Sequence, residues 1–258
     1  MKFLGSRPQH EDLKLLVEDP DAVENNLAKF DSSGNPVDSG IASNTVPKAT
    51  TANLTFYVNP STGSDENPGT SGSPFKTIAK AISLIPKIVN HNVTINLADG
   101  SYSEGITLTG YMGGGIITIA GNAANPENVV LSGLVRIEHS AIYHYILGLE
   151  TTYTGAAGIY CVRVYGMARF EKIICDTSSV DYAGFEILYS PVVIIVSSTI
   201  SNRKQGIYGN NNSHIYSAAN GGSNNTVGLQ VFTSVIMKAS TQPGGTTAES
   251  AANGGVIR

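Results

Sequence analysis

Between residues 93 and 239 apolar and polar positions alternate in short runs separated by Gly, Asn or Ser turns. A period of two is the signature of strands with one buried face. Val93-Thr94-Ile95-Asn96-Leu97 is the first clear run, followed by the turn Ala98-Asp99-Gly100. Upstream, Thr55–Val58 also reads as a strand and leads into a long Gly/Pro/Ser turn. The clearest helical period lies between these two strands. Phe75, Ile78, Ala79, Ile82 and Ile85 form one apolar stripe, Ser73 stands as N-cap with Pro74 in the first helical position, and Pro86 ends the pattern. This predicts a short helix at about 74–86.

The strand region repeats. Gly158-Ile-Tyr, Gly184-Phe-Glu, Gly206-Ile-Tyr and Gly228-Leu-Gln are spaced 26, 22 and 22 residues apart. After each Gly comes an apolar residue (Ile159, Phe185, Ile207, Leu229), then an outward one: Tyr160, Glu186, Tyr208, Gln230. Eighteen residues beyond the first three glycines stand Asp176, Asn202 and Asn224, an Asn-type column at one turn of each coil. Such a column can bond to its equivalents one rung away, ~4.8 Å distant. The first coil carries four extra residues around Ser178–Tyr182, an insertion that belongs in a loop.

A β-sandwich lacks this column-like register, a leucine-rich solenoid needs a Leu-x-x-Leu-x-Leu core, and a propeller blade is about twice this step. The pattern predicts an all-β chain, a single-stranded right-handed parallel β-helix with roughly nine coils between residues 55 and 240. The helix at 74–86 then caps the first open rung.

The first 53 residues differ. Leu13, Leu16, Val17, Val23, Leu27 and Phe30 fall at helical spacings broken by Asp19-Pro20-Asp21, and residues 31–53 are rich in Ser, Gly, Asn and Pro. They read as one or two short helices or a partly ordered arm followed by a linker or an extended, partner-wrapped segment (1–53), before the solenoid (54–240) and a polar cap or tail (241–258). Composition agrees with a turn-rich β-protein: 28 Gly, no Trp and 14% charged residues. The net charge of −4, with no Lys/Arg cluster, argues against nucleic acid. No apolar run approaches the ~20 residues that span a bilayer, so no membrane insertion is expected. The opening MKFLGSRPQHED has too short an apolar stretch for a secretory signal. Cys161 and Cys175 read as reduced core residues, and the five histidines have no metal spacing, so neither a metal nor another cofactor is expected.

Two segments carry a resemblance. Residues 57–110, YVNPSTGSDENPGTSGSPFKTIAKAISLIPK…NVTINLADGSYSEGITLTG, resemble the opening of pectate-lyase-like β-helix domains of bacteriophage tail spikes and appendages. Residues 26–41, NLAKFDSSGNPVDSGI, are similar to a short element of phage tail-fibre and baseplate-attached proteins. The resemblance implies a virion protein of a phage or prophage tail, a homotrimer, attached through residues 1–50 to a tail or baseplate protein. It implies host surface polysaccharide as the partner, either bound or cleaved by a depolymerase acting as hydrolase or lyase. Fold alone does not choose between binding and cleavage.

Cleavage needs two carboxylates across a groove, or acidic calcium ligands with a base. Within the coils the acids are sparse, and only Asp181 and Glu186 offer a pair, one in the insertion and one outward-facing. Insertion loops collect both catalytic groups and solvated charge. Asp176 belongs to the Asn column, Asp99 to a turn, and Asp65 and Glu66 to a loop that could hold a cation or simply solvated charge. The outward column Tyr160, Glu186, Tyr208 and Gln230 suits a glycan, whose sugar faces stack on rings, or a neighbouring subunit, or plain surface.

Overall fold

The computed structural model describes residues 26–30, 32, 36–42, 48–179 and 181–258. They fall into two compact units, Met1–Lys48 and Ala49–Arg258. In the first, Asn26–Phe30 pairs antiparallel with Pro36–Ala42. Leu27 and Phe30, read above as helical, thus lie on a strand, because ladder bonds to a later segment outweigh a weak local period. Positions 13–23 of that period lie outside the described residues.

The second unit is a parallel β-solenoid of about seven turns. Sheet I runs through Leu54–Val58, Val93–Leu97, Ile116–Ala120, Tyr143–Thr151, Ala168–Cys175, Val193–Val196, His214–Ala218, Val235–Ala239 and Val256–Ile257. Sheet II runs through Ile106–Thr109, Val135–Ser140, Ile159–Val164, Phe185–Leu188, Gln205–Asn210, Asn225–Phe232 and Gly245–Ala252. A third face is made of Gly100–Tyr102, Val129–Leu131 and Thr199–Ile200 with the far ends of two sheet I strands. The turns number about seven rather than nine because the first and last of the nine sheet I rungs, Leu54–Val58 and Val256–Ile257, have no sheet II strand; after Leu54–Val58 the long turn and the helix occupy that stretch of chain.

Inward residues form continuous columns. On sheet II, Ile106, Val135, Ile159, Phe185, Ile207 and Leu229 stack in register, all fully buried. Facing them on sheet I are Ile95, Ile119, Ile146, Phe170 and Ile195, and the rings of Phe170 and Phe185 meet edge-on at 5.5 Å. Each such side chain removed from water contributes about 1.5–3 kcal/mol. Both cysteines are free and buried in this core, where burial pushes their thiols up to about 12.

Corners are set by left-handed residues in columns. Between sheets II and I they are Gly110, His139, Arg163, Tyr189, Asn211, Thr233 and Asn253; between sheet I and the third face, Gly148, Lys172, Ser197, Ala219 and Ser240. At the third corner Asn202 and Asn224 have φ of 60° and 61°. The predicted column holds for two of its three members: the Asn224 side-chain amide donates to Asn202 Oδ1 at 3.3 Å, whereas Asp176 joins through its main-chain carbonyl, which accepts from the Asn202 amide at 2.9 Å. A buried serine ladder supports another corner, with Ser190 N–H on Ser213 Oγ at 3.2 Å and Ser213 N–H on Ser234 Oγ at 3.0 Å.

The helix is shorter than expected, Ile78–Ser83, with Thr77 rather than Ser73 as its N-cap. Thr77 Oγ accepts from Lys80 N–H at 3.1 Å, while Phe75 bridges in parallel to Val58 and so extends the preceding chain. Ala81, not Ala79, completes the buried stripe.

Candidate functional site

Sheet II places the four outward residues in one unbroken column. Tyr160 pairs with Glu186, Glu186 with Tyr208, and Tyr208 with Gln230. The column extends further than the glycine repeat shows: Arg136 and Thr107 precede Tyr160, and Ser250 follows Gln230. Rungs are ~4.8 Å apart, so seven polar or aromatic side chains form a line along the sheet.

The glycine column sets where this line begins. A Cβ at Gly184 would lie 2.3 Å from Ile200 Cγ2, and at Gly206 2.6 Å from the Gly228 carbonyl oxygen. The chain therefore turns tightly against the third face, and the second residue beyond each glycine points outward.

Electrostatics along the column alternate. The Arg136 guanidinium lies over the Tyr160 ring at 5.3 Å and is 3.5 Å from Glu138. Burial pushes the Glu186 carboxyl above its ordinary value. Burial, and then the charge of Glu186, raise the Tyr160 hydroxyl, and burial raises that of Tyr208. Both phenols therefore remain protonated donors through the neutral range. Tyr208 is fixed by Asn210, whose amide donates to its hydroxyl at 3.0 Å, and by Phe232, edge-on at 6.0 Å. Gln230 is fixed by Gln205, whose amide donates to Gln230 Oε1 at 2.8 Å. Preordered groups of this kind lose little freedom when a ligand docks.

At its first rung the column meets a cleft of about 480 Å³ beside the helix, lined by Ile82, Ser83, Glu104, Thr107 and Leu134. Thr107 belongs to both. Glu104 is held there because its two carboxylate oxygens accept the Ile78 and Ala79 N–H groups at 2.7 and 3.0 Å.

The carboxylate pair is less coherent. Asp181 is exposed in the insertion before the Gly184 corner, whereas Glu186 stands mid-strand between Tyr160 and Tyr208. Among the described residues neither hydrogen bond nor ion pair joins them. Asp65 is a clamp, accepting from Lys76 N–H, Thr77 N–H and Thr77 Oγ at 2.8–3.0 Å. Asp99 accepts the side-chain amides of Asn122 and Asn128.

Arg136 and Thr107 escaped the repeat reading because Leu134 occupies the glycine position of its coil. Gly105-Ile106-Thr107 does carry the same triplet and was the available signal.

Residues 61–109 match a family model described as a protein of unknown function (DUF1565). No curated protein matches the chain, and no solved structure does. Fold and site together define a parallel β-solenoid with one preordered aromatic and hydrogen-bonding column.

Proposed function

We propose that this chain is a tail-associated protein of a phage or prophage, attached through residues 1–50 and presenting its solenoid to glycans on the host surface. One observation carries the glycan reading: Arg136, Tyr160, Glu186, Tyr208 and Gln230 stand in strict register on one sheet. Their ~4.8 Å repeat is comparable to the length of a sugar ring. Rings for stacking thus alternate with donors and acceptors for hydroxyls. The resemblance of residues 57–110 and 26–41 to phage appendage proteins supports the virion assignment.

A homotrimer fits the same reading, supported by an outward apolar column on sheet I in which half-buried Ile194 leads to exposed Tyr216 and Met237. Light scattering of the full chain at micromolar concentration tests it, and a clean monomer contradicts it.

The glycan reading is tested by titrating the protein with polysaccharides from the surface of candidate hosts and following binding and products together. Saturable binding without new reducing ends or unsaturated sugars supports it. A second reading, a depolymerase, draws on Glu186, whose raised carboxyl suits a general acid. Product formation lost in Glu186→Gln would establish that reading instead.

A further inference from the structure

Arg203 is among the largest side chains buried in the solenoid, 1% exposed, at the corner that leads into sheet II. Its backbone is built into that corner on both sides. Arg203 bridges in parallel to Ser179, and its N–H is accepted by Asn225 Oδ1 at 3.1 Å. The side chain runs back along the stack, where Nη1 donates to the Tyr153 carbonyl at 3.0 Å. Its remaining polar nitrogens, Nε and Nη2, are buried and have no hydrogen-bond partner among the described residues.

These two atoms are not an arbitrary remainder. Nε and Nη2 form one edge of the guanidinium, with parallel N–H groups that match two oxygens of a carboxylate, phosphate or sulfate. Arginine also cannot escape burial by losing its proton in the accessible range. A buried guanidinium with a single hydrogen bond is destabilising unless an anion meets it. The acidic groups that bias its charge are Cys175 and then Asp176, yet among the described residues no ion pair joins it to a carboxylate. Asp176 is itself exposed.

We infer that the Nε/Nη2 edge of Arg203 is a binding site for a small oxyanion, a group presenting two oxygens to the guanidinium inside the corner. The shared chemistry is that of a free inorganic anion or of an acidic sugar's carboxylate. Because both nitrogens are buried, the anion enters by local opening, and equilibration is slow.

The test uses the full chain at constant ionic strength in chloride, incubated overnight with sodium sulfate, phosphate, acetate or glucuronate. Two readouts are taken, thermal midpoint and the NMR position of the Arg203 Nε–H. At 10–100 times Kd the midpoint rises in a saturable way by on the order of 3–9 °C, and the Nε–H resonance moves with the same dependence. Arg203→Met loses the rise, while Arg203→Lys, which keeps charge but not the two-pronged edge, loses most of it. Response to glucuronate alone assigns the site to an acidic sugar; response to sulfate or phosphate assigns it to an inorganic anion. Should Arg203→Met not fold, the Nε–H shift in the unmodified chain decides. An Nε–H unmoved by every anion overturns the inference. So does an Nε–H that moves in Asp176→Asn without any anion, since that would make Asp176 the partner.

Discussion

The side-chain amide of Asn202 donates to the main-chain carbonyl of Asp176 at 2.9 Å, one coil back along the stack. Asn202 also holds a left-handed backbone, φ 60°, and its N–H reaches the Ser223 carbonyl at 3.0 Å. One residue therefore turns the chain and ties three successive coils. Asn202→Ala loses both side-chain bonds, to the Asp176 carbonyl and from the Asn224 amide, and places a less tolerant residue in the left-handed region, which together destabilise by about 2–3 kcal/mol. Asn202→Gly loses only the bonds and costs about 1 kcal/mol less. Urea unfolding of both variants checks the order; equal losses would mean that backbone conformation contributes nothing.

The glycine corners make a sharper steric prediction. In Gly184→Ala the new methyl would lie 2.3 Å from Ile200 Cγ2 in the core, an overlap relieved only by moving buried groups, at about 1–3 kcal/mol or more. Gly221 is the internal control, because a Cβ there meets nothing within 4 Å. Gly221→Ala should lie within about 0.5 kcal/mol of the parent in the same unfolding experiment.

The helix cap depends on a residue from another coil. Glu104 takes both the Ile78 and Ala79 N–H groups, so Glu104→Ala leaves two donors of the first turn unpaired and destabilises by about 1–2 kcal/mol. The effect should be local. Amide exchange of Ile78 and Ala79 accelerates at least tenfold, while the inward sheet II residues Phe185 and Ile207 keep their protection. Unchanged exchange at Ile78 would contradict the capping role.

His144 supplies a pH dependence. It is fully buried in sheet I, its Nε2 lies 2.6 Å from Ser140 Oγ, and burial lowers its pKa to about 4 from 6.5. The unfolded chain therefore takes up this proton first as pH falls. The stabilisation is complete above pH 6.5, declines below it, and is lost by pH 4. The loss is on the order of 3 kcal/mol. Urea midpoints between pH 7.5 and 4 should fall more steeply for the parent than for His144→Gln; parallel curves would remove His144 as the cause.

Much of the solenoid was legible because its repeated signals use the same residue type. A Cβ would lie within 2.3–2.6 Å of a neighbour at Gly184, Gly206 and Gly228 and 3.1 Å from Cys175 Sγ at Gly158, so the four positions share one residue type and can be counted. The left-handed corner of His139, Arg163, Tyr189 and Thr233 has the same geometry in every coil but different residues, so no pattern marks it. Glu104 as a cap and Arg203 as a core residue depend on contacts 26 and 50 residues away, which no local period encodes. The outward column was half legible: Tyr160 to Gln230 follow the glycines, whereas Arg136 follows Leu134 and was hidden.

The most direct measurement is the affinity of host surface polysaccharide for the parent chain and for Tyr160→Ala, Tyr208→Ala and their double variant, with thermal midpoints taken alongside. These rings are outward, so folding should be little changed. Losing a stacking ring costs about 0.5–1.5 kcal/mol, so each single variant should bind about 2–12-fold more weakly and the double variant more weakly still. Unaltered affinity in the folded double variant would show that the sheet II column is not where the glycan lies.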